Sequence, residues 1–310
     1  MTNLSDLTPG GGGGAGIDFQ EFTTNGTWTK PDDVSWVKIE VIGGGGGGGS
    51  GRVGGNANGG NGGGGSPILT GIWAASDVPD SATITIGAGG AGGAAQTADS
   101  TNGNTGADGG TSSFGTFFAP DIYGIGGGGG IDFAGFNRYA SLGLAWPPHI
   151  RGVITLVGGA LYENPGMGGQ GTSNNSYLRN DSNDANYEAY GTRFISCAYA
   201  NVCAGGGGAG GVVNGAATYT AGANGGFGQE RETTWVPWTT AITEGRNGND
   251  APTGSTAGGM GGTGNRTGNG GNGGNGGIGS GGGAGAGVPD TYDSGAGGNG
   301  GSGRIRVWAW

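Results

Sequence analysis

Between residues 268 and 283 the chain runs GNGGNGGNGGIGSGGG, with Asn269, Asn272, Asn275 and Ile278 at every third position and glycine almost everywhere else. Glycine loses more backbone freedom on ordering than any other residue. Such a stretch is therefore either an unordered linker or a structure that only glycine can build. A period of three fits neither the α-helix at 3.6 nor the strand at 2.0. It fits the polyproline II type of helix, with three residues per turn and about 3.1 Å of rise per residue. That helix has no internal hydrogen bonds, so its N–H and C=O groups point outward and must be paired by neighbours when buried. Glycine lets such neighbours come close enough to bond laterally. The pattern predicts one continuous helix of roughly 50 Å over 268–283, with the three asparagines and Ile278 along one edge.

Similar clusters recur at 10–16, 43–51, 59–65, 87–93, 126–130, 166–171, 205–211, 222–228, 258–264, 268–287 and 295–303. The intervals between them vary, which excludes the solenoids with a constant repeat length. Proline is missing from the triplets, so a collagen triple helix is excluded too. The chain has 310 residues, 88 of them Gly and 11 Pro, a share typical of low-complexity sequence. Against that stand eight Trp, nine Tyr and nine Phe, more apolar surface than a disordered segment carries. Many clusters with aromatic inserts between them point to a bundle of antiparallel polyglycine II helices.

Two segments alternate as strands do. In VSWVKIEVI (34–42), Val37, Ile39 and Val41 share one face and Trp36, Lys38 and Glu40 the other. In the C-terminal GRIRVWAW, Ile305 and Val307 alternate with Arg304 and Arg306. Shorter candidates lie at 81–90 and 152–159. No long 3.6-residue apolar period appears. The expected fold class is mostly irregular and β, with little or no α-helix: a bundle of polyglycine II helices on a small β-structured base, with long loops. Residues 1–16 form an N-terminal attachment segment and 17–310 a glycine-rich domain. Within it, 17–42 and 303–310 build the base and 43–302 the bundle and its inserts.

Twelve Lys and Arg against 22 Asp and Glu give a net charge of −10, which leaves no basic footprint for nucleic acid. The N-terminus lacks the basic and apolar regions of a secretory signal. Neither lysine sits in the Gly-Lys-Ser/Thr context of a phosphate-binding loop. His149 is the only histidine and, beside two prolines, suits a loop better than a catalytic base. NDSNDANYE (180–188) offers oxygen ligands without the glycine and spacing of a calcium loop. These features predict no enzyme, no cofactor and no metal. Cys197 and Cys203 fit a bridge closing a short loop in an oxidising setting, and equally two buried thiols.

The inserts 130–152, 176–203 and 227–252 combine Phe, Tyr, Trp, Arg and Asn, the residue types of loop-built recognition surfaces. Rings close to the glycine runs are expected to pack against them. Phe136, Tyr139, Trp146, Tyr187, Tyr190, Trp235 and Trp238 are the candidate contact residues.

FTTNGTWTKPDDVSWVKIEVIGGGGGGGSG (22–51), VPDSATITIGAGGAGG (78–93), GGTSSFGTFFAP (109–120) and the ending GGNGGSGRIRVWAW (297–310) resemble the glycine-rich domain of bacteriophage tail-fibre and tail-tip proteins. The layout is similar to the distal adhesins of T-even-like phages, although the inserts at 131–157 and 172–204 are longer. The resemblance implies a virion protein at the distal tail or fibre tip, made in the host cytoplasm. It implies binding to an outer-membrane protein or surface glycan of the bacterium, and contact with other tail or fibre proteins. A homotrimer and a single subunit capping a trimeric fibre both fit it. The alternatives from other classes are a glycine-rich ice-binding protein and a structural tail adaptor without host contact.

Overall fold

The computed structural model describes residues 16–130, 204, 207, 210, 211, 213, 214, 218, 219, 222 and 244–310. Among them there is no α-helix; one 3₁₀ turn spans Ala75–Asp77. The strands are β1 (Asp18–Phe22), β2 (Gly26–Thr29), β3 (Trp36–Ile42), β4 (Asn56–Ala57), β5 (Ile68–Ala74), β6 (Ser81–Thr85), β7 (Ser113–Phe114), β8 (Val213–Asn214), β9 (Thr218–Tyr219) and β10 (Arg304–Ala309). An antiparallel sheet in the order β1-β10-β3-β5 and a second of β2-β6-β7 share one core. The alternation read in β3 and β10 decides which side chains enter it: Val37, Ile39, Val41, Ile305 and Val307 are buried. They meet Trp28, Ile84, Phe114, Phe118 and Ile122, with Trp28 and Phe114 ring centroids 5.1 Å apart. β5, β6 and β7 belong to this base although they lie inside 43–302.

The strands run on into glycine helices, which we label from the hydrogen bonds they make: PG1 (43–53), PG2 (58–66), PG3 (87–96), PG4 (101–111), PG5 (124–130), PG6 (described at 204, 207, 210 and 211), PG7 (245–251), PG8 (257–264), PG9 (269–278), PG10 (280–288) and PG11 (293–303). PG1 shows the rule. Gly44, Gly47 and Ser50 donate to Gly110, Ala107 and Asn104 of PG4; Gly45, Gly48 and Gly51 donate to Gly301, Gly298 and Gly295 of PG11; Gly46, Gly49 and Arg52 donate to Gly64, Asn61 and Asn58 of PG2. Its carbonyls accept in the same rotation from PG5, PG3 and PG10. Each residue thus addresses the next neighbour a third of a turn on, which is the signature of a three-residue helix at the centre of six others. PG10 has the same surroundings, ringed by PG1, PG2, PG6, PG8, PG9 and PG11. The bonds define three layers: PG5-PG2-PG6, PG4-PG1-PG10-PG8 and PG3-PG11-PG9-PG7.

Two expectations are corrected. The neighbours are not all antiparallel: PG1 donates to three antiparallel helices and accepts from three parallel ones. Outward-pointing amides repeat identically along this helix, so the lattice accepts either polarity. Nor is 268–283 one helix. The chain reverses at Gly279, at φ +66°, and Ser280 N–H closes the turn on the Gly277 carbonyl at 2.9 Å. The run therefore supplies PG9 and the start of PG10. The β candidate at 152–159 lies outside the described residues.

Buried serines seal the seam between sandwich and bundle. Ser112 Oγ accepts from Gly87 N–H (2.9 Å) and donates to the Ile42 carbonyl (2.7 Å). Ser66 Oγ accepts from Gly43 N–H (3.0 Å) and donates to the Pro67 carbonyl (2.9 Å). Ser112→Ala orphans the buried Gly87 N–H, while the Ile42 carbonyl keeps its ladder bond in the β3–β10 pair, so a loss of about 1–3 kcal/mol is expected. Denaturant unfolding followed by tryptophan fluorescence measures it; a loss below 1 kcal/mol, on the scale of an ordinary net hydrogen bond, would show that the seam is not sealed this way.

Candidate recognition surfaces

The three-residue period also explains why asparagine occupies the third position. An outer-layer helix has one N–H per turn with no helix to receive it. Across the third layer, an Asx residue and its successor grip a single residue of the next helix. Asn269 Oδ1 accepts from Asp293 N–H (3.1 Å) while Gly270 N–H donates to the Asp293 carbonyl (2.9 Å). Asn272–Gly273 grips Ala296 in the same way, at 2.9 and 2.8 Å, and Asn275–Gly276 grips Asn299, at 2.9 and 2.9 Å. Asn247–Gly248 holds Asn272 and Asp250–Ala251 holds Asn275, so the clamps relay from PG7 through PG9 to PG11. Asn299 Oδ1 carries the relay to Gly92 N–H of PG3 at 2.9 Å. The exposed asparagines share one edge, as their spacing predicts.

This scaffold has two poles. At the pole away from the sandwich, the loops 96–101 and 288–293 lock together. Thr291 N–H donates to Asp99 Oδ1 and Ser100 N–H to Asp290 Oδ1, each at 2.8 Å. Ser100 and Thr291 both sit in the left-handed region, at φ +54° and +82°, held there by the opposing carboxylate. Arg52 Nη1 bonds Asn102 Oδ1 at 2.5 Å, and Arg266 pairs with Glu244, Nε to Oε1 at 2.6 Å. Sequence reading singled out none of these polar residues, since isolated Asp, Ser and Thr in loops carry no pattern.

Each long insert has one described end at this pole, while the far end of the first, Ala204, donates its N–H to the Ser66 carbonyl (2.9 Å) at the sandwich seam. The first leaves after Gly130, whose N–H donates to Ser50 O at 2.8 Å near the distal end of PG1. The second rejoins at Glu244 and Gly245, beside Arg266. Phe136, Tyr139, Trp146, Tyr187, Tyr190, Trp235 and Trp238 lie outside the described residues, as do Cys197, Cys203, His149 and the segment 180–188. Among the described residues no group of three or more His, Cys, Asp or Glu is placed to hold a metal ion. Among them, too, no helix is long and apolar enough to cross a membrane.

The opposite pole is the free end of the four-stranded sheet. Its outer face carries an ion-paired row, in which Arg306 Nε meets Glu21 Oε2 at 2.7 Å and Arg304 Nη2 lies 3.7 Å from Glu40 Oε1. Beyond it comes an aromatic row of Phe19, Trp36, Trp308 and Trp310, edged by Ile17. Ile17, Phe19 and Trp36 are 61%, 42% and 44% exposed. Sequence reading singled out none of these aromatics as a recognition surface; the signal that would have found them is the alternation of VWAW, because Trp308 and Trp310 must face away from Val307 and Ala309.

Comparison with protein families decides the affiliation, because a glycine-rich domain model matches residues 20–310. The chain belongs to the glycine-rich domain family. The match runs from β1 through the whole lattice to β10, so this family member uses sandwich and bundle as one unit. No curated protein matches the sequence.

Proposed function

We propose that this glycine-rich domain protein is a phage receptor-binding protein, a tail-fibre or tail-tip adhesin that recognises the bacterial surface through aromatic inserts. The observation that supports it best is that each aromatic insert has one described end at the same pole of a lattice whose two central helices are bonded on all sides. A scaffold fixed in that way lowers the ordering cost of the loops it carries, leaving more of their contact energy for binding. Several copies on one particle then add weak contacts by multivalency. Residues 1–16 serve as the tether to other tail or fibre proteins, and the ligand is an outer-membrane protein or glycan of the host. Replacing 131–203 or 223–243 with glycine-serine linkers long enough to join their described ends without strain tests it. The purified chain is expected to block adsorption of the phage to its host cells, and the linker variants to lose that block while unfolding at the same temperature. Undiminished competition by both variants would overturn the proposal.

The exposed Asn columns of the third layer, repeating at a fixed spacing, favour a second reading as an ice-binding face. The cost to that reading is that each clamp already uses the Oδ1 atom and that Asp250 and Asp293 bring charge to the face. Thermal hysteresis of the purified chain separates the two.

A further inference from the structure

The aromatic pole holds a shallow, open concavity of about 320 Å³ lined by Ile17, Lys38, Trp308 and Trp310. Trp308 and Trp310 stand two residues apart on one strand face, so their rings flank the same hollow. Phe19 backs Trp308 with ring centroids 5.3 Å apart. Lys38 Nζ stands 4.8 Å above the Trp308 ring. The chain has two lysines, and they are used differently. Lys30 is engaged by Asp80 at 2.6 Å and by the carbonyls of Ala75 and Val78. The Lys38 ammonium makes no ion pair or hydrogen bond among the described residues, although the protein is strongly acidic.

We infer that this concavity binds an acidic sugar, a pyranose ring carrying a carboxylate. The volume is at the lower end of small-ligand sites. An apolar ligand would fill the indole-lined wall and leave the ammonium donors of Lys38 unpaired. A metal cation would be repelled by the same group, and a simple anion would leave the indoles unused. A pyranose has an apolar C–H face to lie on an indole and a polar rim, and its carboxylate supplies the charge-assisted partner that Lys38 lacks. The openness of the hollow suits a ligand that stays partly hydrated. None of the lining residues belongs to the long inserts, so this site does not depend on the proposed adhesin role, and either can fail alone.

Saturation-transfer NMR and calorimetry on the full chain test it with three probes: glucuronate, methyl glucoside as the neutral ring, and acetate as the anion without a ring. Glucuronate is expected to bind at least about tenfold more tightly than methyl glucoside, the size of one hydrogen bond to a charged group, and acetate not to bind. Lys38→Gln should bring glucuronate down to the level of methyl glucoside. Trp310→Ala should lose both sugars with an unchanged melting temperature, because the bonds joining residue 310 to Trp36 are backbone bonds. Three results would overturn the inference: no sugar binding, binding indifferent to Lys38→Gln, or sedimentation showing a dimer that Trp310→Ala dissociates, which would assign the hollow to a second copy of the chain.

Discussion

Gly48→Ala is expected to prevent the bundle from assembling, while Gly55→Ala, seven residues further along the same connection, leaves stability unchanged. A methyl group at Gly48 would run into the Gly283 carbonyl of PG10, and one at Gly47 into the Ala91 carbonyl of PG3. Overpacking an ordinary core costs about 1–3 kcal/mol because side chains shift into other rotamers. No such relief exists here, since the obstructing atoms are backbone carbonyls that are themselves fixed by hydrogen bonds to further helices. Moving PG10 aside would stretch its bonds to PG1, at about 1 kcal/mol each, and would then disturb the ring around PG10 as well. At Gly55 nothing lies within 4 Å of the added methyl. Gly254 is the intermediate case: nothing lies within 4 Å, but φ is +80°, so alanine there should cost about 1–2 kcal/mol from backbone conformation alone. Soluble yield and denaturant midpoints of the three variants give the comparison. A Gly48→Ala protein with the midpoint of Gly55→Ala would mean that the helices are not in contact through their backbones.

The same crowding explains how much of the architecture could be read in advance. A period of three was visible because Asn269, Asn272 and Asn275 mark it, and the structure uses those side chains as the period implies. The alternating apolar residues of 34–42 and 303–310 likewise announced β3 and β10. The reversal at Gly279 was hidden because glycine occupies turn and helix alike, so the residue that usually marks a turn carries no information here. Helix polarity was hidden for a related reason, since outward amides bond equally well to either direction. β5 was missed where Gly71 interrupts the run ILTGIWA. Of the recognition surfaces, the loop aromatics were legible as a composition, but the Asp99 and Asp290 locks arise only when residues almost two hundred positions apart meet across PG3 and PG11.

The asparagine clamps carry a chemical consequence as well as a structural one. In an Asn-Gly pair the glycine nitrogen can attack the asparagine Cγ, losing its proton as the new C–N bond closes a five-membered imide and ammonia leaves. Water then opens the ring to aspartate or isoaspartate. The attack requires the side chain to swing over its own following amide. At Asn269–Gly270 that motion is blocked twice, because Oδ1 holds Asp293 N–H and the glycine N–H is committed to the Asp293 carbonyl. Asn272–Gly273, Asn275–Gly276 and Asn247–Gly248 are closed in the same way. Reaction must wait for local opening, and an opening cost of about 3 kcal/mol slows it roughly a hundredfold. Peptide mapping of the folded chain and of the same chain in denaturant, both aged in mildly alkaline buffer, is expected to show that difference at Asn247, Asn269, Asn272 and Asn275. Equal rates would mean that the clamps open freely. Where conversion does occur, aspartate keeps an acceptor for the neighbouring N–H, as Asp250 already does for Asn275 at 2.6 Å. Isoaspartate instead lengthens the main chain by one carbon, which shifts every later amide out of the three-residue register and should open the third layer from that point on.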